Sequence, residues 1–169
     1  MSSNLHREAA VQQIRAAVLT ISDTRSLETD SSGAFLEAAL LEAGHLLVAR
    51  ALVKDDPEAI EQQLKTWLTA KEAQIILTTG GTGITKRDNT IPIIEGLVSK
   101  PMPGFGELFR MLSYQEVGAA AMLSRATGGL AHGGHCLIFA MPGSLNAVQT
   151  AWNGIFAKEL THLVFEVVR

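Results

Sequence analysis

The sequence has few of the residues that mark secreted, membrane or nucleic-acid-binding proteins. Its 169 residues include one cysteine, Cys136, which excludes a disulfide framework and a cysteine-rich metal site. No stretch approaches the roughly 20 apolar residues of a membrane helix, and a net charge of -3 provides no basic surface for duplex nucleic acid. The N-terminus lacks a signal-peptide pattern. We therefore expect a soluble, cytoplasmic protein with neither a membrane nor a nucleic-acid partner.

Short apolar runs alternate with amphipathic segments along the chain, a pattern typical of a parallel sheet covered by helices. The pattern predicts an α/β protein with a three-layer sandwich, a mostly parallel central sheet and a short hairpin at one edge. The hairpin is expected within residues 126–140, around the turn at His132 to Gly134. No break in composition interrupts residues 13–169, so we predict one domain there, preceded by a flexible arm at residues 1–12.

The individual elements follow from periodicity and from helix-start signals. Strands are predicted at 16–21, 45–53 and 74–79, and helices at 33–43, 57–68, 90–97 and 106–117. The Pro/Gly-rich segment 100–106 is predicted to be a connection, because no helix crosses such a segment. One of Asp55 and Asp56 should cap the helix at Pro57, and Ser144 should cap the final helix.

The segment LTTGGTGITKRDNT, residues 77–90, carries the densest functional signal. Gly80, Gly81 and Gly83 let the backbone approach a ligand closely and leave N–H groups free for an anion. Nearby threonine hydroxyls, two cations and the carboxylate of Asp88 add the groups that bind phosphate and magnesium. The alternative is an ordinary turn between a strand and a helix.

Three other polar clusters follow predicted strands. They are Ser22 with Asp23, Asp55 with Asp56, and the segment 141–144. Ligands of open α/β sheets bind outside the carboxyl ends of the strands. If these strands are parallel, the four loops meet at one edge and form a single ligand site, with helix N-termini that suit anions.

Structural roles compete with functional ones for several of these polar residues. Asp88 could pair with Lys86 or Arg87, and Asp23 could belong to a turn. Glu107 and Arg110 lie one helical turn apart, which favours an intrahelical ion pair, and Arg125 is expected to be structural.

His132, His135 and Cys136 are close in sequence but do not form a metal-binding pattern. The two histidines flank two glycines without a third ligand at a suitable spacing, which favours a hairpin turn over a metal site. Cys136 is expected to be a small buried hydrophobic residue.

The chain resembles the MoaB/MogA-type molybdenum cofactor biosynthesis proteins, and the B-type members most, in several motifs that occur in the family's order. The resemblance covers nearly the whole chain and predicts their molybdopterin-binding, MogA-like fold. The motifs are SDTR at 22–25, DSSG at 30–33, TTGGTG at 78–83, RD at 87–88, PGFGELFR at 103–110, SR at 124–125 and MPGS at 141–144.

The resemblance implies binding of molybdopterin and transfer of AMP from ATP, with Mg²⁺, to its terminal phosphate, releasing pyrophosphate. By resemblance, Asp55 and Asp88 match the acidic catalytic and magnesium-binding positions. The remaining candidate ligand- or phosphate-binding residues are Ser22, Asp23, Gly80, Gly81, Thr82, Gly83, Pro142, Gly143 and Ser144.

Two alternatives to a transferase remain open. The chain has Asp88-Asn89-Thr90-Ile91-Pro92, one residue longer before the proline than the transferase pattern. The resemblance also implies that B-type members can lack transferase activity. A non-catalytic molybdopterin-binding or scaffold protein of the same pathway is therefore an alternative. An unrelated phosphate-binding enzyme such as a kinase is disfavoured, because the GxxxxGK[ST] spacing is missing.

Self-association is also expected. Phe105, Phe109, Tyr114 and the apolar run at 163–168 are predicted to be exposed and to bury surface between copies of the chain. The resemblance implies a trimer, or a hexamer of paired trimers, and contacts with other molybdenum cofactor biosynthesis proteins.

Overall fold

A computed structural model describes residues 13–168, so the predicted arm at residues 1–12 lies outside the described part. Six strands occur in residues 13–168: β1 (Arg15–Ile21), β2 (Leu46–Val53), β3 (Ile75–Thr79), β4 (Val98–Pro101), β5 (Thr127–Ala131) and β6 (Leu137–Met141). The helices of the same residues are α1 (Ser31–Glu42), α2 (Pro57–Ala70), α3 (Thr90–Leu97), α4 (Pro103–Val117), α5 (Leu145–Ala151) and α6 (Ala157–Val168). A 3₁₀ helix, Gly118–Leu123, follows α4, and a π-helical turn, Trp152–Phe156, joins α5 to α6.

The strands form one sheet in the order β2-β1-β3-β6-β5-β4. The strands β2, β1, β3 and β6 are parallel, while β5 is antiparallel to both of its neighbours. The mostly parallel sheet and the hairpin of β5 and β6 are confirmed. The hairpin is not at the edge of the sheet, because β4 pairs outside it.

The segment at residues 100–106 was wrongly predicted to be only a connection. Lys100 and Pro101 belong to β4, and α4 begins at Pro103. Proline is tolerated at the first helical position, where its missing N–H has no partner to lose. The two prolines therefore mark the end of a strand and the start of a helix with one residue between them.

Two hydrophobic clusters cover the two faces of the sheet. Side chains from α1, α4, α5 and α6 pack on one face, and side chains from α2 and α3 on the other. Phe105 packs with Phe139 and Phe156 at ring-centroid distances of 4.8 and 5.4 Å. Phe105 and Phe109 are therefore core residues, and their predicted exposure is wrong.

Three of the helix N-termini that follow parallel strands carry side-chain caps, and those at Asp56 and Ser144 agree with the sequence prediction. Asp30 accepts a hydrogen bond from the amide of Gly33 at 2.9 Å, Asp56 from Ala59 at 2.9 Å and Ser144 from Ala147 at 3.2 Å. These bonds satisfy amides that have no partner within the helix. Because Asp56 is the cap of α2, the side chain of Asp55 is available for other contacts.

None of the helices in residues 13–168 combines the length and the apolar composition needed to span a membrane.

Candidate functional site

A cleft of about 480 Å³ lies at the carboxyl ends of β1, β3 and β6. The predicted site residues that line it are Ser22, Gly80, Gly81, Thr82, Gly83, Asp88, Pro142 and Gly143. Asp23, Asp55 and Ser144 are not among its lining residues. Loops that are far apart in sequence therefore meet at one edge of the sheet, as the parallel arrangement requires.

The floor of the cleft is formed by backbone packed against backbone. Gly80 has a φ of +102°, and a Cβ at this position would lie 2.1 Å from the carbonyl oxygen of Ile21. A Cβ on Gly143 would lie 3.2 Å from the Cα of Gly80. Only glycine at position 80 combines this φ with so close an approach, so the loops after β1, β3 and β6 contact each other directly.

The glycine loop is anchored through Gly80 and through the carbonyl of Gly81, while the next amides of the loop are left without a partner in the described part of the chain. The amide of Gly80 donates to the carbonyl of Met141 at 3.0 Å, so Gly80 sets the position of the loop and offers no free donor. Thr90 holds the loop from α3 through its amide to Gly81 O at 3.1 Å and its hydroxyl to Gly80 O at 2.8 Å. Within residues 13–168, the amides of Gly81 and Thr82 donate no hydrogen bond, which leaves two donors for a ligand.

Asp88 is fixed inside its own loop. Its Oδ2 accepts hydrogen bonds from the amide and the hydroxyl of Thr85, at 2.8 and 2.6 Å. Partial burial by itself raises the pKa of Asp88, but the bonds from Thr85, the amide of Gly83 and the charge of Arg125 together lower it. The carboxylate is therefore ionised at neutral pH. It contacts Thr85 rather than the neighbouring cations.

Arg125 supports this loop from the outside. Its guanidinium donates to the carbonyl oxygens of Thr82 and Asp88, at 3.4 and 3.3 Å. The structural role expected for Arg125 is therefore confirmed, and both of its partners belong to residues that line the cleft.

Asp55 lies beside the glycine loop, outside the cleft lining. Its Oδ1 accepts two hydrogen bonds from Asn89, each 3.1 Å long, and a Cβ on Gly81 would lie 2.8 Å from its Oδ2. Asp55 is thus half-buried behind Gly81, and Asp88 is on the cleft side of the same loop.

Asp23, in the loop after β1, contacts both the loop after β2 and the glycine loop. Its Oδ1 accepts from the amide of Asp55 at 3.1 Å, and its Oδ2 forms an ion pair with Arg87. The hydrogen bond from Arg87 lowers the pKa of Asp23. Arg87, one of the two exposed cations of the glycine loop, is therefore paired with Asp23 rather than with Asp88.

The loop after β6 contributes backbone groups. The carbonyl of Pro142 accepts from the hydroxyl of Thr79 at 2.9 Å, and that of Gly143 accepts from the hydroxyl of Ser32 at 2.8 Å. Ser144 is engaged as the cap of α5. Of this segment, only Pro142 and Gly143 line the cleft.

The cleft also contains residues that were not predicted for the site. They are Thr20, Ile21, Arg25, Leu123 and Ser124. Arg25 belongs to the SDTR motif, so its sequence position was the available signal. Leu123 ends the 3₁₀ helix and Ser124 follows it. Ser124 belongs to the SR motif, which was the available signal for it, whereas no local pattern indicates that Leu123 reaches the strand ends.

The acids of the site fit magnesium only if a ligand completes its coordination. Within residues 13–168, no group of three or more His, Cys, Asp or Glu residues could hold a metal ion. Magnesium commonly binds one or two carboxylates together with water and substrate phosphates. The carboxylate of Asp88 is a donor of this kind. Oδ2 of Asp55 is a second one if it reaches the same ligand. Nε2 of His135 lies 3.1 Å from the carbonyl oxygen of Leu68.

The fold is that of an α/β protein with a cleft at the carboxyl ends of parallel strands. Residues 17–162 match the family model described as "Probable molybdopterin binding domain". The chain belongs to this family of molybdenum cofactor biosynthesis proteins, which confirms the predicted resemblance.

Relatives and solved structures agree with this assignment. The chain is similar to molybdenum cofactor biosynthesis protein B of Bacillus cereus, at 46% identity over all of this chain and 99% of the relative. A crystal structure of molybdenum cofactor biosynthesis protein B has a TM-score of 0.88 and 48% identity, covering 93% of this chain and 97% of that one. The tungsten cofactor synthesizing protein MoaB of Pyrococcus furiosus has a TM-score of 0.84 and 36% identity, covering 95% and 100%. The MoaB-type fold is therefore confirmed.

Proposed function

We propose that this chain binds molybdopterin and catalyses its Mg-ATP-dependent adenylylation in molybdenum cofactor biosynthesis. The observation that carries the proposal is the placement of Asp88 and the unpartnered amides of Gly81 and Thr82 around one cleft. Membership of a family described as molybdopterin-binding supports molybdopterin as the ligand. The nucleotide and magnesium are proposed from the chemistry of the loop.

In the proposed reaction, an oxygen of the terminal phosphate of molybdopterin attacks the α-phosphorus of ATP. A new P–O bond forms while the bond from the α-phosphorus to the oxygen bridging to the β-phosphate breaks, and pyrophosphate leaves with that oxygen. Such a transfer requires alignment and charge neutralisation rather than a nucleophilic side chain.

The residues of the cleft have separate roles in this scheme. The amides of Gly81 and Thr82 donate to phosphate oxygens and orient them. Asp88, which is ionised at neutral pH, would hold Mg²⁺, and the ion would neutralise the charge of the triphosphate.

A non-catalytic molybdopterin-binding or scaffold role is the second candidate. The position of Asp55 favours it, because this carboxylate is tied to Asn89 and does not line the cleft. A transferase that uses both acids on one metal needs Asp55 and Asp88 to reach the same ligand. A binding protein has no such requirement.

Pyrophosphate release from Mg-ATP, measured with and without molybdopterin, separates these candidates. We expect release that depends on molybdopterin and falls at least about 100-fold in Asp88→Asn, because the variant loses the metal-binding charge. Asp56→Asn is the matched control, since asparagine also caps helices. Saturable molybdopterin binding without pyrophosphate release would support the scaffold role, and full turnover by Asp88→Asn would contradict the role of Asp88.

We also propose that the chain self-associates as a trimer or hexamer. The exposed side chains of Leu108, Met111, Tyr114 and Val117 on α4, and of Met122 after it, support this proposal. Light scattering at micromolar concentration tests it, and a monomeric mass would contradict it.

A further inference from the structure

Arg25 supplies the positive charge of the cleft. Among the cleft-lining residues in the described part of the chain, it is the only lysine or arginine. Its amide donates to Ser22 Oγ at 3.1 Å, and its Nη1 donates to Ser32 Oγ at 3.2 Å. Ser32 is fully buried and donates its own hydroxyl to Gly143 O at 2.8 Å. The guanidinium is therefore held in position by α1 and, through Ser32, by the loop after β6.

This guanidinium has no carboxylate partner among residues 13–168. By contrast, Arg50 pairs with Asp30 and Glu37, and Arg87 pairs with Asp23. A guanidinium has five N–H donors, and the bond to Ser32 uses one of them. A half-buried and uncompensated guanidinium beside a cleft is suited to a phosphate group, which it binds through two parallel donors.

We propose that Arg25 binds the acceptor phosphate, a phosphate monoester, and that the side of the cleft formed by Asp88 takes the nucleotide. This inference rests on the proposed function, which brings two anionic groups into one cleft. A triphosphate that carries Mg²⁺ needs a carboxylate, and Asp88 provides one. A phosphate monoester brings no metal and needs a cation from the protein, which Arg25 provides. The fork of Arg25 thus makes it a specificity-determining residue for the acceptor.

Isothermal titration calorimetry of the whole chain tests whether the acceptor phosphate and the nucleotide bind at these two positions. Inorganic phosphate is the probe of the acceptor position, and Mg-ATP is the probe of the nucleotide position. Arg25→Gln is expected to weaken phosphate binding about 10-fold or more, and to leave the Kd for Mg-ATP within about twofold, because it removes charge-assisted hydrogen bonds on one side only. Asp88→Asn is expected to weaken Mg-ATP binding and to leave the Kd for phosphate within about twofold. Arg25→Lys keeps the charge without the fork, so its phosphate affinity should be intermediate.

Lys65→Gln is the control for net charge, because Lys65 is an exposed residue of α2 that pairs with Glu61. It should leave both affinities unchanged. If Arg25→Gln does not fold, as judged by circular dichroism, the comparison of Arg25→Lys with the wild type decides. A selective loss of phosphate affinity supports the proposal, and loss of neither or of both affinities overturns it.

The outcomes also separate this inference from the proposed function. Wild-type protein that binds molybdopterin and phosphate, with Arg25→Gln binding phosphate equally well, would overturn only the role of Arg25. Wild-type protein that binds neither molybdopterin nor phosphate would overturn both.

Discussion

Asn89 holds Asp55 through two donors that bind the same carboxylate oxygen. The backbone amide and Nδ2 of Asn89 both lie 3.1 Å from Oδ1 of Asp55, and Nδ2 also reaches the carbonyl of Asp55 at 3.3 Å. Asn89 occupies the cap position of α3 but makes no capping bond with its side chain. Its amide group instead joins the loop after β2 to the glycine loop, which leaves Oδ2 of Asp55 beside Gly81.

Asn89→Ala should release Asp55 from this position. The variant loses the side-chain bonds and keeps the backbone bond, so the free energy of unfolding should fall by about 0.5–1.5 kcal/mol. The KM for Mg-ATP should rise, because Asp55 is then less well oriented. Urea unfolding and the pyrophosphate assay measure the two effects, with the exposed Asn153→Ala as control. Unchanged stability together with an unchanged KM would show that the contact has neither role.

Gly81→Ala should disrupt the loop itself. Gly81 has a φ of +66°, and a Cβ would lie 2.2 Å from Thr90 Oγ1 and 2.8 Å from Asp55 Oδ2. Strain of this kind typically costs about 1–3 kcal/mol. We therefore expect the free energy of unfolding to fall by an amount in that range, and phosphate binding to become weaker. Gly96→Ala is the matched control, because a Cβ there meets no atom within 4 Å. In a helix, this control should be neutral or stabilising by up to about 1 kcal/mol; equal stability of the two variants would refute the steric argument.

The adjacent acids Asp55 and Asp56 should respond differently to substitution. Asp56→Ala removes the cap of α2 and should lower the free energy of unfolding by about 1 kcal/mol without changing affinity for Mg-ATP. Asp55→Ala should weaken Mg-ATP binding, because it removes a carboxylate next to the glycine loop. Denaturant titration and calorimetry on both variants check the separation. A weaker affinity in Asp56→Ala would mean that the cap also shapes the site.

Much of the fold and the cleft could be predicted because the signals are local. The run from Ile75 to Thr79 is fully buried, as an apolar β-branched strand between two helical layers must be. Polar residues follow β1, β2, β3 and β6, and the parallel arrangement of these strands brings the loops together. The glycine loop was recognisable from its composition, and Gly80 and Gly81 have the positive φ that only glycine adopts readily.

The parts that were missed depend on contacts between distant residues. The strand β4 is short and mostly exposed, without an alternating pattern, and it exists because Lys100 and Pro101 pair with Leu130 and Gly129. Both faces of α4 carry apolar side chains, so the sequence did not reveal which face is buried.

The pairing of polar side chains was equally hard to predict. Arg110 was expected to pair with Glu107, but it donates to the carbonyls of Ser124 and Ala126, at 3.2 and 3.0 Å. These carbonyls become available only when the segment after the 3₁₀ helix packs beside α4.

Stability should fall in mildly acidic solution because of His45. Burial lowers the pKa of His45 below its ordinary value of 6.5, and Nδ1 accepts a hydrogen bond from the amide of Ile14 at 3.3 Å, which requires the neutral ring. Below pH 6.5 the unfolded chain takes up a proton that the folded chain does not, so the free energy of unfolding decreases as the pH falls. Above about pH 7.5 this contribution is constant, because the histidine is then neutral in both states.

Urea unfolding of wild type and His45→Gln at pH 7.5 and 5.5 isolates this effect, since the other titrating groups are common to both proteins. We expect a larger drop in stability for the wild type than for the variant between these two values. An equal drop in the two proteins would assign the pH dependence to other residues.

Cys136 should report on the unfolding of the core. Its side chain is 1% exposed, and burial raises the pKa of the thiol to about 12, so the reactive thiolate is almost absent from the folded protein at pH 8. Because the sequence has one cysteine, labelling with a thiol reagent yields a single signal. We expect no modification of the native protein over minutes and complete modification in 6 M guanidinium, as about that concentration unfolds most domains.

Under native conditions, the labelling rate should follow the unfolding equilibrium, so Gly81→Ala should be labelled faster than Gly96→Ala. Rapid labelling of the stable wild type would show instead that the sheet opens locally at the amino end of β6, the end opposite the cleft.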